Sequence, residues 1–316
     1  MKLNQIRSQM LFAMIAVVLL AVSVFAQPPD GDPIQPGYEI NDQRAGSMLI
    51  YNYYRKTVWA FTENTYITVT NTNGDTSVRV KFTFVEGATG YTRNYTVNVD
   101  PYATANFDLN TYLPGLLSGT GYAIAIAVNE NDEPIPFDYL TGAAKIHFSS
   151  TLYTSLKAVA VPISPTGYYA ALPRQLAMDQ MPSPLSTQKR MLVINRIDGS
   201  LLNQISGIGN LQGDLFAPSA SSRSFDRGIF GPQARILVDD LFTPPVPWSI
   251  IFPSSQFSWG WLRIRATDQY AISGAVLYLD KVNGVNVNTP ISFNMRHLTG
   301  TPATLETSGG TMYFGY

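Results

Sequence analysis

The residues able to do covalent or metal chemistry are few, and they are poorly spaced for it. The chain has no cysteine and two histidines. That excludes a Cys-ligated zinc site, an iron–sulfur cluster, a disulfide framework and a lipid-modified cysteine anchor. Neither His147 nor His297 has a metal-ligand partner two, three or four positions away, so each reads as structural. No Gly-x-Ser-x-Gly elbow offers a hydrolase nucleophile. The run Gly207-Ile208-Gly209-Asn210-Leu211-Gln212-Gly213 has the wrong spacing for a dinucleotide loop and reads as a flexible loop. Glu130-Asn131-Asp132-Glu133 is acidic, but it lacks the alternating ligands and the glycine of a Ca²⁺ loop, so it reads as a solvated turn. Asp239-Asp240 and Asp30-Gly31-Asp32 read the same way. A hydrolytic pair requires carboxylates from distant loops, such as Glu130 and Asp239, to meet in one cleft. Trp59, Trp248, Trp259 and Trp261 form no pattern separable from core packing. No catalytic, cofactor-binding or metal-binding residue is therefore expected.

Charge narrows the classes further. Only 14% of the 316 residues are charged and the formal net charge is −1, against about 25% charged in an average soluble protein. Nothing supplies the basic excess that phosphate contacts need, so nucleic-acid binding is not expected. Little mutual repulsion separates copies of such a chain.

The elements that position these residues are read from pattern. Lys2 and Arg7 precede an apolar run from Leu11 to Ala26, closed by Val24-Phe25-Ala26 before Gln27. This fits a secretory signal cleaved between Ala26 and Gln27. The run is short for a membrane span, and no second long apolar stretch follows. A secreted protein, extracellular or on the cell surface, with no span after cleavage, is expected. Beyond the signal the chain alternates with period two. Thr65, Ile67 and Val69 share one face, and Val78, Val80, Phe82 and Phe84 alternate with Arg79, Lys81 and Thr83. Between them Asn71-Thr72-Asn73-Gly74-Asp75 predicts a tight hairpin turn with positive φ angles. Tyr122 to Val128 is apolar on both faces and predicts a central strand. Helical pattern is scarce: a single turn within Asn110–Leu117, and a second candidate over Leu172–Met181 between Pro173 and Pro182.

The chain matches itself at four places in the same order. Ser47–Asn52 matches Arg190–Asn195, Ala105–Leu109 matches Ala234–Val238, Gly121-Tyr122 matches Gly260-Trp261, and Tyr139-Leu140 matches Tyr278-Leu279. The expected fold is all-β, with two tandem immunoglobulin-like antiparallel β-sandwich domains from an internal duplication. The expected boundaries are signal peptide 1–26, extended arm 27–44, first sandwich 45–172, linker 173–188 and second sandwich 189–316. Pro173, Pro182 and Pro184 with Ser183, Ser186, Thr187 and Gln188 give the linker its composition.

Gly46–Tyr54, Ile67–Asn73, Phe84–Gly87, Phe107–Leu109 and Ala125–Val128 make residues 46–142 resemble uncharacterised secreted bacterial proteins with immunoglobulin-like sandwiches. The resemblance implies secretion and a sandwich fold, and it carries no catalytic residue.

Two terminal features suggest assembly. The proline-rich arm reads as extended and can add as a strand to a sheet edge, with Ile34, Tyr38 and Ile40 as contacts. The C-terminal stretch alternates apolar groups at Met312, Phe314 and Tyr316. A homo-oligomer or polymer formed by strand addition, head to tail, is expected. The reading is a secreted, non-enzymatic structural subunit of a filament, tube or surface layer. The alternative is a secreted carbohydrate- or surface-binding module.

Overall fold

The structure, a computed structural model, describes residues 32–33, 42–57, 63–112, 119–150, 153–163, 169–182, 190–198, 205–216, 222–242, 259–267, 270–278, 281–282, 285–286, 292–308 and 311–315. Alternating β-branched and aromatic residues fold as strands throughout, as period two requires. The first part contains β1 (Asp32–Pro33), β2 (Met48–Lys56), β3 (Asn64–Asn71), β4 (Val78–Glu86), β5 (Thr92–Val99), β6 (Thr104–Asp108), β7 (Gly119–Val128), β8 (Leu140–His147), β9 (Tyr153–Lys157) and β10 (Val159–Val161). The second contains β11 (Tyr169–Pro182), β12 (Arg190–Arg196), β13 (Gly209–Phe216), β14 (Ser222–Ile229), β15 (Gln233–Leu237), β16 (Trp259–Ala266), β17 (Ile272–Tyr278), the ribbon β18 (Lys281–Val282) with β19 (Val285–Asn286), β20 (Phe293–Asn294), β21 (Arg296–Ser308) and β22 (Thr311–Gly315). Among the described residues the single α-helical turn, α1 (Leu109–Tyr112), overlaps the start of the predicted window and begins one residue before it.

These strands form two antiparallel sandwiches. In the first, a sheet ordered β10-β2-β7-β4-β5 faces a sheet ordered β6-β3-β8-β9. In the second, β21-β11-β16-β13-β14 faces β15-β12-β17-β20. The two orders match strand for strand: β2 with β11, β3 with β12, and so on to β10 with β21. Even α1 after β6 has a counterpart in the 3-10 turn Val238–Asp240 after β15. The pairs β3–β6 and β4–β7 sit where the immunoglobulin arrangement places its B–E and C–F pairs. The outer strands are arranged differently, with β2 beside β7 and β8 beside β3.

Strand β7 occupies the centre of its sheet. Ala123, Ala125 and Ala127 face the sandwich interior, where small side chains admit the rings of Tyr51, Phe82, Phe84 and Phe107. Ile124 and Ile126 face the other way and are equally buried.

Several expectations are corrected. Residues 173–182 are not linker. They belong to β11, which begins at Tyr169 and pairs with both β16 and β21. Nor do Leu172–Met181 form a helix. The prolines misled because they sit where the ladder tolerates them, Pro173 beside a register shift and Pro182 at the strand end. The first sandwich accordingly ends near Val161, and the second begins at Tyr169, not at residue 189. Among the self-matches, the pairs on β6/β15 and β7/β16 fall on equivalent strands. Ser47–Asn52 does not correspond to Arg190–Asn195, because β2 corresponds to β11 in sheet order. Tyr139-Leu140 opens β8, whereas Tyr278 closes β17.

The Asn71–Asp75 turn exists, but it is not a hairpin. It carries the chain from β3 in one sheet to β4 in the other. The buried Asn71 carboxamide donates to the carbonyls of Thr76 (2.8 Å) and Val99 (3.2 Å), and Asn73 Oδ1 accepts from the Asp75 and Thr76 amides. Gly74 does not adopt a positive φ; the exposed Tyr102 ring packs over it, 2.5 Å from where a Cβ would lie. The glycine-rich run is no flexible loop either: from Gly209 onward it is β13.

The two sandwiches pack directly on each other. Val193, Ala275 and Leu277, on the outer face of the smaller sheet of the second, join the core cluster of the first. Leu172, Ile197, Ile205 and Ala271 cover the outer face of β2 and β7. A buried amide network stitches this junction. Asn52 Nδ2 donates to Gly274 O (3.1 Å) and Asn294 Oδ1 (2.8 Å), while Asn52 Oδ1 accepts from Ser273 Oγ (2.7 Å). Asn195 Nδ2 donates to Asn52 O (2.8 Å), and Gln233 Nε2 donates to Asn195 Oδ1 (2.8 Å). The Tyr122 hydroxyl donates to the Arg196 carbonyl.

Candidate assembly interface

Strand β21 is where the two terminal features meet. Its first part pairs with β11 as far as Ala303, opposite Tyr169. There the arm contributes β1, with Asp32 opposite Gly300 and Pro33 opposite Thr299. Beyond Ala303, β21 continues for five more residues and, among the described residues, pairs with β22 alone, Thr304 opposite Gly315 through Ser308 opposite Thr311. The C-terminal hairpin therefore extends past Tyr169, the first described residue of β11. Proline suits the arm position: an edge strand can spare the N–H that Pro33 lacks.

Of the predicted contact residues, Met312 and Phe314 lie in β22, opposite Thr307 and Leu305. Ile34, Tyr38, Ile40 and Tyr316 lie outside the described residues, as do the cleavage residues Ala26 and Gln27. Sequence reasoning located both terminal segments but missed their common acceptor. The signal available was the length of the last β run, 13 residues in β21 against three in the equivalent β10.

A second edge is open at the far side of the first sandwich. Strand β5 pairs with β4 over eight residues without a register shift, and Arg93 is its only charge. Its counterpart β14 carries Arg223, Asp226 and Arg227. Charges on an edge strand discourage edge-to-edge pairing, so β14 is protected and β5 is not.

The acidic turn is used internally. Asp132 pairs with Arg79 (2.8 Å) and Lys81 (3.0 Å), and Asn129 Oδ1 accepts from the Asn131 and Glu133 amides (2.9 Å each). Burial alone would raise the Asp132 carboxyl, but hydrogen bonds and charge from Lys81 and Arg79 outweigh it and hold it low. Glu130 lines an open depression of about 700 Å³ together with Arg79, Asp100 and Asn129. Asp239 lies in the 3-10 turn of the other sandwich. Among the described residues no three His, Cys, Asp or Glu side chains cluster as metal ligands. His147 stacks on Tyr153 and meets the edge of Tyr66. His297 lies on β21, which corresponds to β10 and not to β8, so the two histidines are not equivalent.

The outer face of β13 and β16 has its own character. Trp261, 37% exposed, stacks on Phe216 with centroids 4.1 Å apart and planes 7° apart. One step along each strand, Arg263 forks onto Asp214 (2.7 and 3.2 Å), which also accepts from Ser224 Oγ (2.7 Å). Burial would raise the Asp214 carboxyl, but Ser224, Arg263 and Arg265 prevail and depress it.

No family model matches the chain, and no curated protein matches it. Among solved structures, Thermotoga maritima 1070 is 13% identical, with 36% of this chain and 92% of that one covered and a TM-score of 0.28. A putative beta-galactosidase from Bacteroides fragilis is 9% identical over 87% of this chain and 37% of its own, with a TM-score of 0.18. Broad Bean Stain Virus gives 10% identity, 91% and 97% coverage and a TM-score of 0.19. These scores are too low to bear on function.

Proposed function

We propose that the protein is a secreted, non-enzymatic structural subunit that self-assembles by strand addition. The carrying observation is the seat of the arm: Asp32-Pro33 lies on the edge of β21 in its own chain, Asp32 opposite Gly300 and Pro33 opposite Thr299. A strand added to a sheet edge is held chiefly by main-chain ladder bonds, which the arm of any copy can supply equally well. The same edge of a second copy offers identical chemistry, and arm-to-edge contacts repeated head to tail make an open chain of subunits. The low charge, the sparsely charged edge strand β5 and the N-terminal secretory pattern support this reading.

Electron microscopy of the mature protein tests it. Ordered polymers are expected from the whole chain, and monomers after deletion of residues 27–44. Monodisperse monomers of the whole chain across pH and salt would sink it.

One observation favours a second reading, that of a carbohydrate-binding module. The Trp261–Phe216 stack beside the Asp214–Arg263 ladder sets an aromatic surface next to hydrogen-bonding groups, the combination that sugars require. A glycan array without signal above background excludes it.

A further inference from the structure

At one end of the first sandwich three strands deliver one chemically matched residue each. Lys56 closes β2, Asn64 opens β3 and Asp108 closes β6. The Arg55 amide donates to Thr65 Oγ1, and the Thr65 hydroxyl donates back to the Arg55 carbonyl, both at 2.9 Å. This reciprocal pair of hydrogen bonds pins the end of β2 against the start of β3. Strand register then sets Tyr66 opposite Asp108. Asn64 Nδ2 donates to Asp108 Oδ1 at 2.7 Å. The same oxygen accepts from the Asn110 amide at 2.7 Å and the Thr111 amide at 3.3 Å, which fixes the carboxylate at the start of α1.

Lys56 is 3% exposed and Asn64 4%. Asn64 Oδ1 is buried without a hydrogen-bond partner, an arrangement that costs stability unless it serves something. Burial pushes the Lys56 ammonium toward its neutral form, and the charge of Asp108 opposes this only in part. A desolvated amine is a nucleophile. A carboxamide whose nitrogen is held by a carboxyl group has its leaving group already in contact with a proton donor.

We propose that Lys56 and Asn64 join in an intramolecular isopeptide bond, with Asp108 as the catalytic proton carrier. The ammonium first gives a proton to Asp108. The Nζ lone pair then attacks Cγ of Asn64 and forms the new C–N bond. Asp108 passes its proton to Nδ2, the Cγ–Nδ2 bond breaks with its electron pair on nitrogen to release ammonia, and Nζ gives up one of its two remaining protons to the regenerated carboxylate, which hands it to the departing ammonia. The products are one secondary amide and one ammonium ion, so the neutral chain is lighter by one ammonia. No oxidant, metal or cofactor enters the balance. The bond ties β2 to β3 covalently in a chain that has no cysteine for a disulfide.

Mass spectrometry of the purified wild-type protein decides the matter, with its N-terminus fixed by sequencing. The intact mass is expected to fall short of the calculated value by one ammonia. A tryptic digest is expected to yield a branched peptide joining the Lys56 and Asn64 segments, with no cleavage after Lys56. The full calculated mass overturns the proposal. So does a branch that maps to Asn110 or any other carboxamide. Lys56→Met, Asn64→Ala and Asp108→Asn are each expected to keep the full mass, with native circular dichroism confirming that they fold. A bond that forms completely in Asp108→Asn would remove the proton-carrying role. The wild-type mass stands as the primary test even where a variant does not fold.

Discussion

The first sandwich closes its larger sheet with β10, three residues long, and the second closes the equivalent position with β21, thirteen residues long. Their interiors differ as well. The first is built on rings: Phe82 lies 4.9 Å from Phe107 at 83°, 5.9 Å from Phe84 at 14° and 5.8 Å from Tyr51. The second is largely aliphatic, with Leu176, Leu192, Ile194, Leu211, Leu215, Leu262 and Ile264 around one edge-on pair, Phe225 and Phe242. One strand order thus accepts two packings, because a core needs matched volume and pattern more than any particular side chain. What distinguishes the sandwiches most in outline is peripheral. The first ends flush, while the second ends in a strand with surplus length that takes the arm and projects a hairpin.

The largest test of this contrast is in the cores. Phe82→Ala on β4 should cost about 3–5 kcal/mol, and Leu215→Ala on the equivalent β13 about 2–4 kcal/mol. Guanidinium denaturation followed by far-ultraviolet circular dichroism measures both. Equal losses would show that the rings add nothing beyond volume.

The junction comes next. Asn52→Ala removes the acceptor of the Ser273 hydroxyl and the donor to Asn294 Oδ1 and the Gly274 carbonyl, while Asn195 keeps its bond to the residue-52 backbone carbonyl. A loss of about 2–3 kcal/mol is expected, since buried polar groups then go unsatisfied. The wild type should unfold in one transition, because residues of the second sandwich complete the core of the first. Two separate transitions by calorimetry would show independent sandwiches.

Acid titration should separate the two surface ion pairs. Asp214 and Asp132 both have carboxyl pKa values lowered on folding. The stability they contribute is therefore present above the unfolded value, near 4, and is lost as pH falls through the lower folded value. Asp214→Asn should cost about 1 kcal/mol at neutral pH. Its denaturation curve should converge on that of the wild type well below pH 4. Asp132 is 37% exposed on its side chain against 17% for Asp214, so Asp132→Asn should cost only about 0.5 kcal/mol, and high salt should erase it.

Much of the fold was legible in local pattern. The alternation of Val78 to Phe84 and the doubly apolar Tyr122–Val128 announced β4 and the central β7, because side-chain period and burial are properties of a single strand. The helical turn at Leu109 and the turn at Asn71–Asp75 were readable for the same reason. The pairing across that turn was not, since a turn records a change of direction and not which sheet receives the chain. Pro173 and Pro182 looked like linker because proline breaks a ladder in isolation, and only the register shifts of β11 show where it does no harm. Of the candidate site, the arm and the C-terminal alternation were visible in the sequence, and their shared strand was not. The Lys56, Asn64 and Asp108 group left no motif at all, because its members come from three strands and two sheets.

The sequence by itself determined that this is an all-β chain without cysteine chemistry, since period, composition and turn residues act over a few neighbours. Only the tertiary structure decided which strands share a sheet, that the sandwiches repeat one order through different residues, and that the two terminal segments converge on β21. Those outcomes depend on closing long loops and burying particular faces together, and such contacts have no local signature to read.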